Sequence, residues 1–307
     1  MGVLLVTAAI AVSTGFGIWA ERRWPQGAAE AARKSLVAIL YVLLPPVIFF
    51  NLAAAEIDLD HGVGLALGLV AQALTATLVW LISSRVLRLP RAQTGAMICT
   101  VLVVNTGYLG YPMAAALLGR DELPDAVLWD VLVSGPSLLL GAFAVGAAFG
   151  TKAGETPRQR VNAFFTRNPP LYAAIAGLLA PSVLAPDLLV DVSQALVVAI
   201  LPIGFFAVGA TLAEGAEHGE LPIPPPLNRQ VAVSLVGRLL VAPALLLLLA
   251  WPLIELPDAY MLMAVMPCGL NSMVVSHAYG LDNRIVAESI VWSTALVIAA
   301  ALVSLLI

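Results

Sequence analysis

The chain has 307 residues, 61% of them hydrophobic and 11% charged, with a mean hydropathy of +0.96. Soluble domains carry about 25% charged and about 45–50% apolar residues. This composition therefore predicts an integral membrane protein and leaves no polar stretch long enough for a soluble catalytic domain. The net charge of −4 argues against nucleic-acid binding; the two cysteines, Cys99 and Cys268, lie inside apolar runs and lack metal-ligand spacing.

A helical span needs roughly 20 apolar residues. Ten segments qualify: 2–20, 35–55, 62–84, 92–118, 124–149, 170–186, 189–213, 230–252, 257–279 and 285–307. Backbone groups in lipid must pair among themselves, so runs this long and continuous predict helices. The fold class is thus an all-α polytopic membrane protein. The first run has no basic leader or small-residue cleavage site, which predicts a retained helix rather than a signal peptide. Segment six is shortened by Pro181 and Pro186.

The loops then predict orientation. Alternate loops collect Arg22, Arg23, Arg33 and Lys34; Arg85, Arg88 and Arg91; Lys152, Arg158, Arg160 and Arg167; Arg229; and Arg284. These are thirteen of the 15 Lys and Arg. The opposite loops hold Arg120 alone and are otherwise acidic: Glu56, Asp58, Asp60; Asp121, Glu122, Asp125; Asp187; Glu255, Asp258. By the positive-inside rule both termini face outside, which needs an even number of crossings. The loop at 151–169 contains a predicted amphipathic helix, Pro157–Phe165, lying on the inner surface. The 214–228 loop, with Pro222, Pro224, Pro225 and Pro226, reads as a stiff connector.

The two halves, 1–150 and 170–307, share short matches. Pro46-Val47-Ile48-Phe49-Phe50 pairs with Pro202-Ile203-Gly204-Phe205-Phe206, Leu89-Pro90-Arg91-Ala92 with Leu256-Pro257-Asp258-Ala259, and Gly119-Arg120-Asp121 with Gly280-Leu281-Asp282. Their offsets are nearly constant, and five helices is an odd number, so the second half enters the membrane from the opposite side. That is the inverted five-helix repeat of many secondary transporters. Near the middle of segment four stands Asn105-Thr106-Gly107-Tyr108-Leu109-Gly110-Tyr111-Pro112; segment nine has Pro267-Cys268-Gly269-Leu270-Asn271-Ser272. Proline removes a backbone donor and glycine weakens a helix, so helices four and nine are predicted to break and to meet there; that they cross is what the family resemblance given below implies. Their half-helix N-termini carry partial positive charge suited to a carboxylate, and their C-termini partial negative charge suited to a cation.

At these residues the sequence resembles the auxin efflux carrier family of membrane transporters, in its short-loop prokaryotic type. The family's Asn-x-Gly-x-x-Gly-x-Pro pattern in the fourth helix is met from Asn105 to Pro112, and its Pro-x-x-x-Asn element in the ninth by Pro267 and Asn271. The resemblance covers the whole chain. It implies a scaffold domain of helices 1, 2, 6 and 7, a transport domain of helices 3–5 and 8–10, a homodimer through the scaffold, and carboxylate substrates. Those substrates are auxin in plant members and malate or malonate in several bacterial ones. The short loops point to a bacterial inner membrane.

Ionisable groups inside a span default to functional hypotheses. Arg238 either neutralises an anionic substrate or pairs with Glu288. Asp130, with Ser134 one turn away, is either a cation or proton site or an interfacial carboxylate. No metal-ligand cluster, phosphate-cradling loop or nucleophile with a base is evident, so no enzymatic chemistry or cofactor is expected beyond a coupling Na+ or H+. The reading is a secondary transporter that moves a small organic anion by alternating access. Its substrate site comprises Asn105, Thr106, Gly107, Tyr108, Pro112, Pro267, Gly269, Asn271 and Ser272. A sodium-coupled carrier similar to bile acid symporters, a channel and a membrane ligand sensor are the rivals.

Overall fold

The apolar runs become helices wherever the chain is described. The computed structural model describes residues 3–54, 62–214 and 225–304; Glu56, Asp58, Asp60, Pro222 and Pro224 lie outside them. Helix α1 is Val3–Arg23, α2 Pro25–Ala53, α3 Gly62–Val86 and α5 Leu123–Phe149. Helix α6 is Pro169–Leu179, α7 Asp187–Glu214, α8 Arg229–Ala250 and α10 Asn283–Ser304. Between α3 and α5 lies a helix in two pieces, α4a (Arg91–Leu102) and α4b (106–117). Between α8 and α10 lies another, α9a (Asp258–Ala264) and α9b (Asn271–Tyr279). Among the described residues there is no β-strand. Among the described residues six helices are long and apolar enough to cross a membrane: α2, α3, α5, α7, α8 and, over Asn283–Ala301, α10.

Two expectations change. Residues 25–34, read as loop, form the first turns of α2: Pro25 sits at its start, and Lys34 pairs with Glu30 at 2.8 Å. The stretch is rich in alanine and charged helix formers, so local propensity outweighs its polarity. Segment six is only 11 residues of helix, because Ala180 turns extended ahead of Pro181, as residues before proline tend to do. The linker helix is found at Pro157–Thr166, one residue longer than expected, and Thr156 and Gln159 close a reciprocal capping box at its start.

Four prolines inside the spans follow a widened turn, whereas Pro202 sits within regular helix. Four of the six π-turns among the described residues end two residues before a proline: Ile39–Leu43 before Pro45, Thr106–Gly110 before Pro112, Asp130–Ser134 before Pro136, and Gly237–Val241 before Pro243. In each, the N–H just after the turn reaches back five residues, as from Tyr111 to the Thr106 carbonyl and from Ala242 to that of Gly237. The wider turn takes up the clash of the proline ring with the preceding carbonyl. Three of the four carry the residues that matter below: Thr106, Asp130 and Arg238.

The helices pack in two groups. Helix α1 lies along α7, which also meets α2, while α6 lies along the second half of α2. Helices α3, α5, α8 and α10 surround α4a, which is buried on every side from Thr94 to Leu102.

The crossover and its cavity as a candidate binding site

Helices α4 and α9 break at matching places, and the two unwound stretches lie against each other. Val104 and Cys268 form an antiparallel bridge. The Asn105 N–H donates to the Pro267 carbonyl (2.9 Å), and the Gly269 N–H donates to that of Val103 (2.8 Å). Backbone groups freed by the breaks are thus paired across the crossing, as they must be at membrane depth. Only glycine allows the approach: a Cβ on Gly269 would stand 2.8 Å from the Val104 carbonyl carbon. From α10, the Ser293 hydroxyl accepts the Cys268 N–H at 3.1 Å.

The second pieces, α4b and α9b, start at Thr106 and Asn271, so both N-terminal ends begin at the crossing. Beside them is a cavity of about 500 Å³. Asn105, Thr106, Gly107, Tyr108, Gly269 and Asn271 line one side; α2, α5 and α6 supply walls that include Val47, Ile48, Leu139, Leu171 and Ile175. The wall therefore comes from both helix groups. Asn105 is buried, and neither of its amide atoms has a protein partner; the side-chain oxygen of Asn271 is likewise unpartnered. Each such group costs about 1–3 kcal/mol, which is hard to reconcile with a purely structural role. The amides face a cavity wide enough for a small molecule.

Asp130 lines the same cavity. Its carboxylate accepts the Thr106 hydroxyl and the Tyr111 hydroxyl at 2.6 Å, so α5 is tied to both sides of the π-turn that opens α4b. Ser134, one turn on, also lines the cavity.

Residues 160–305 match the family described as membrane transport protein. An uncharacterised transporter of Methanocaldococcus jannaschii is 24% identical over 232 residues, which cover 71% of this chain and 69% of the relative. Both matches agree with the resemblance to the auxin efflux carrier family of membrane transporters. The chain is an integral membrane protein, and both matches are to membrane transporters.

Not every expected residue of the transporter faces the cavity. Pro267 contributes only its carbonyl to the crossing; Pro112 sits within the first turn of the regular part of α4b; the buried Ser272 hydroxyl bonds the Gly269 carbonyl at 2.6 Å. Arg238 and Glu288 do not form the expected pair. Glu288 instead accepts from Arg284 (2.9 Å) and from Asn228 (2.8 Å). Arg238 donates to the Gln72 side-chain oxygen and the Val101 carbonyl, both at 3.0 Å, and to the Ala264 carbonyl. The reason is reach along α10: Glu288 is one turn from Arg284, near the start of the helix, whereas Arg238 lies beside the crossing. Sequence reasoning missed Tyr111, which stands inside the quoted motif between Gly110 and Pro112, and Asn51, which lines the cavity from α2. Asn51 donates to the Ser193 hydroxyl of α7 at 3.2 Å; a lone amide in an apolar run was the signal.

Proposed function

We propose that the protein is a secondary transporter that carries a small organic anion by alternating access, with the carboxylate held at the crossing. One observation carries this reading: the unpartnered Asn105 amide and Asn271 side-chain oxygen stand at the N-terminal ends of α4b and α9b, on a largely apolar cavity. Helix N-termini present free N–H groups and partial positive charge to an anion, and the Asn105 amide nitrogen adds a donor. The apolar walls favour a monocarboxylate with an apolar body, such as an auxin-like acid. A dicarboxylate such as malate would press its second charge against leucine and valine or toward Asp130.

Ten crossings in two inverted five-helix halves fit this reading. Pro90 and Pro257 stand at the N-caps of α4a and α9a with nearly the same backbone angles, and Gly119 and Gly280 both adopt positive φ after α4b and α9b. In the proposed movement α3, α4, α5, α8, α9 and α10 travel as one body against α1, α2, α6 and α7, and the cavity wall shared between the groups opens to each side in turn. Both termini outside, a bacterial inner membrane and a homodimer through the static helices complete the proposal.

Counterflow of labelled indole-3-acetate and of labelled malate into proteoliposomes tests it. Saturable exchange is expected, stronger for the monocarboxylate and lost in both Asn105→Ala and Asn271→Ala. Exchange that survives both substitutions would remove the anion from the crossing. Unitary currents without saturation would make the protein a channel, and saturable binding without flux a sensor.

A further inference from the structure

The other ends of the broken helices hold a second arrangement. Helices α4a and α9a finish at Leu102 and Ala264, and the last carbonyls of a helix have no partner within it. Their partial negative charges accumulate at the crossing. The Arg238 guanidinium meets both ends: one nitrogen donates to the Val101 carbonyl and to Gln72, and the other to the Ala264 carbonyl. Arg238 is 1% exposed, does not line the large cavity, and among the described residues has no carboxylate within ion-pair distance. A buried charge without a counter-ion is expensive unless dipoles replace its hydration; here two helix ends and an amide do so.

Three oxygens converging at the C-terminal ends of half-helices are what a hard monovalent cation binds in discontinuous-helix carriers. We infer that Arg238 is a tethered cation that stands where a coupling sodium ion would otherwise sit, holding α4a and α9a together from within. It is a positioning residue, acting on the substrate site through the two helix ends. The crossing then needs no free cation, and removing the guanidinium turns Gln72, Val101 and Ala264 into a sodium site. This inference concerns the crossing itself and holds whichever anion the transporter carries.

Thermal unfolding of the purified full-length protein in detergent, at constant ionic strength with sodium chloride replaced by choline chloride, tests it without a substrate. The wild-type and Arg238→Lys midpoints should be the same in both salts. The Arg238→Gln midpoint should fall in choline and recover with sodium, rising with the logarithm of its concentration once the site fills. A merely structural role would lower the midpoint equally in both salts. A saturable sodium stabilisation of the wild type overturns the inference, and so does an Arg238→Gln protein indifferent to the salt. If Arg238→Gln yields no folded protein in choline, purification in sodium should restore it. Failure in both salts overturns the inference, and so does an Arg238→Lys protein that does not fold.

Discussion

Asp130 links two functions within one side chain. Its carboxylate fixes the Thr106 and Tyr111 hydroxyls and so sets the shape of the π-turn from which α4b springs. Asp130→Asn keeps the size but leaves one acceptor oxygen in place of two and removes the charge. Hydrogen bonds to a charged group contribute about 1.5–3 kcal/mol each, so exchange in proteoliposomes should fall by at least about ten-fold while the protein still elutes as a folded species; unchanged exchange would detach Asp130 from the site. Tyr111→Phe removes one of the two bonds and should show a smaller loss of the same kind. At the crossing, Gly269→Val forces a branched side chain into the Val104 backbone. It should lower the thermal midpoint more than Gly107→Ala, whose Cβ would meet nothing nearer than 3.8 Å. The polar residues of the site were legible one by one, because asparagine and aspartate are rare in lipid. Their pairing was not: Arg238 and Glu288 are both charged and both buried, and only the packing shows that each has other partners.

At the scale of elements, the linker helix is fastened to α9b. The Tyr279 hydroxyl donates to the Ala163 carbonyl at 3.1 Å, Arg167 to the Ala278 carbonyl at 3.0 Å, and Lys152 to that of His277 at 3.1 Å. Positive groups thus meet the C-terminal end of α9b, where the dipole favours them, and Gly280 closes that helix in the left-handed region. Arg167→Ala together with Tyr279→Phe should free the linker and speed proteolysis between Lys152 and Arg167, with little change elsewhere in the fragment pattern. The existence of this helix was readable from its alternation of polar and apolar residues. Its attachment was not, since the acceptors are backbone carbonyls that no side-chain pattern advertises. The breaks in α4 and α9 were readable because glycine and proline act locally. The π-turns were hidden in the same prolines, for a proline in sequence does not say whether the helix will kink, stop or widen.

Across the whole molecule, the cavity wall is shared by two helix groups, and a small apolar cluster of Leu139, Leu171 and Ala174 joins α5 to α6. Cysteines placed at Leu139 and Leu171 should, on oxidation, stop exchange, and reduction should restore it; full exchange in the cross-linked protein would mean that these helices do not part. The two native thiols are buried at 0% exposure, so they should not compete for the oxidant. That the apolar runs fold as helices was plain from hydropathy, yet their lengths were not equal. Helix α6, with 11 residues, rises only about 16 Å, roughly half of the ~30 Å hydrocarbon thickness of a bilayer. Tyr172 and Leu179 of this helix are exposed and stand away from the cavity, a flank suited to acyl chains. Lipid packed against that flank would thin to match, at a cost of fractions of a kcal/mol per ångström of mismatch. If α6 belongs to the static group, this thinned patch stays beside the pathway through every cycle. Exchange should then be faster in vesicles of short-chain lipids than in long-chain ones, which makes membrane thickness itself a variable of transport.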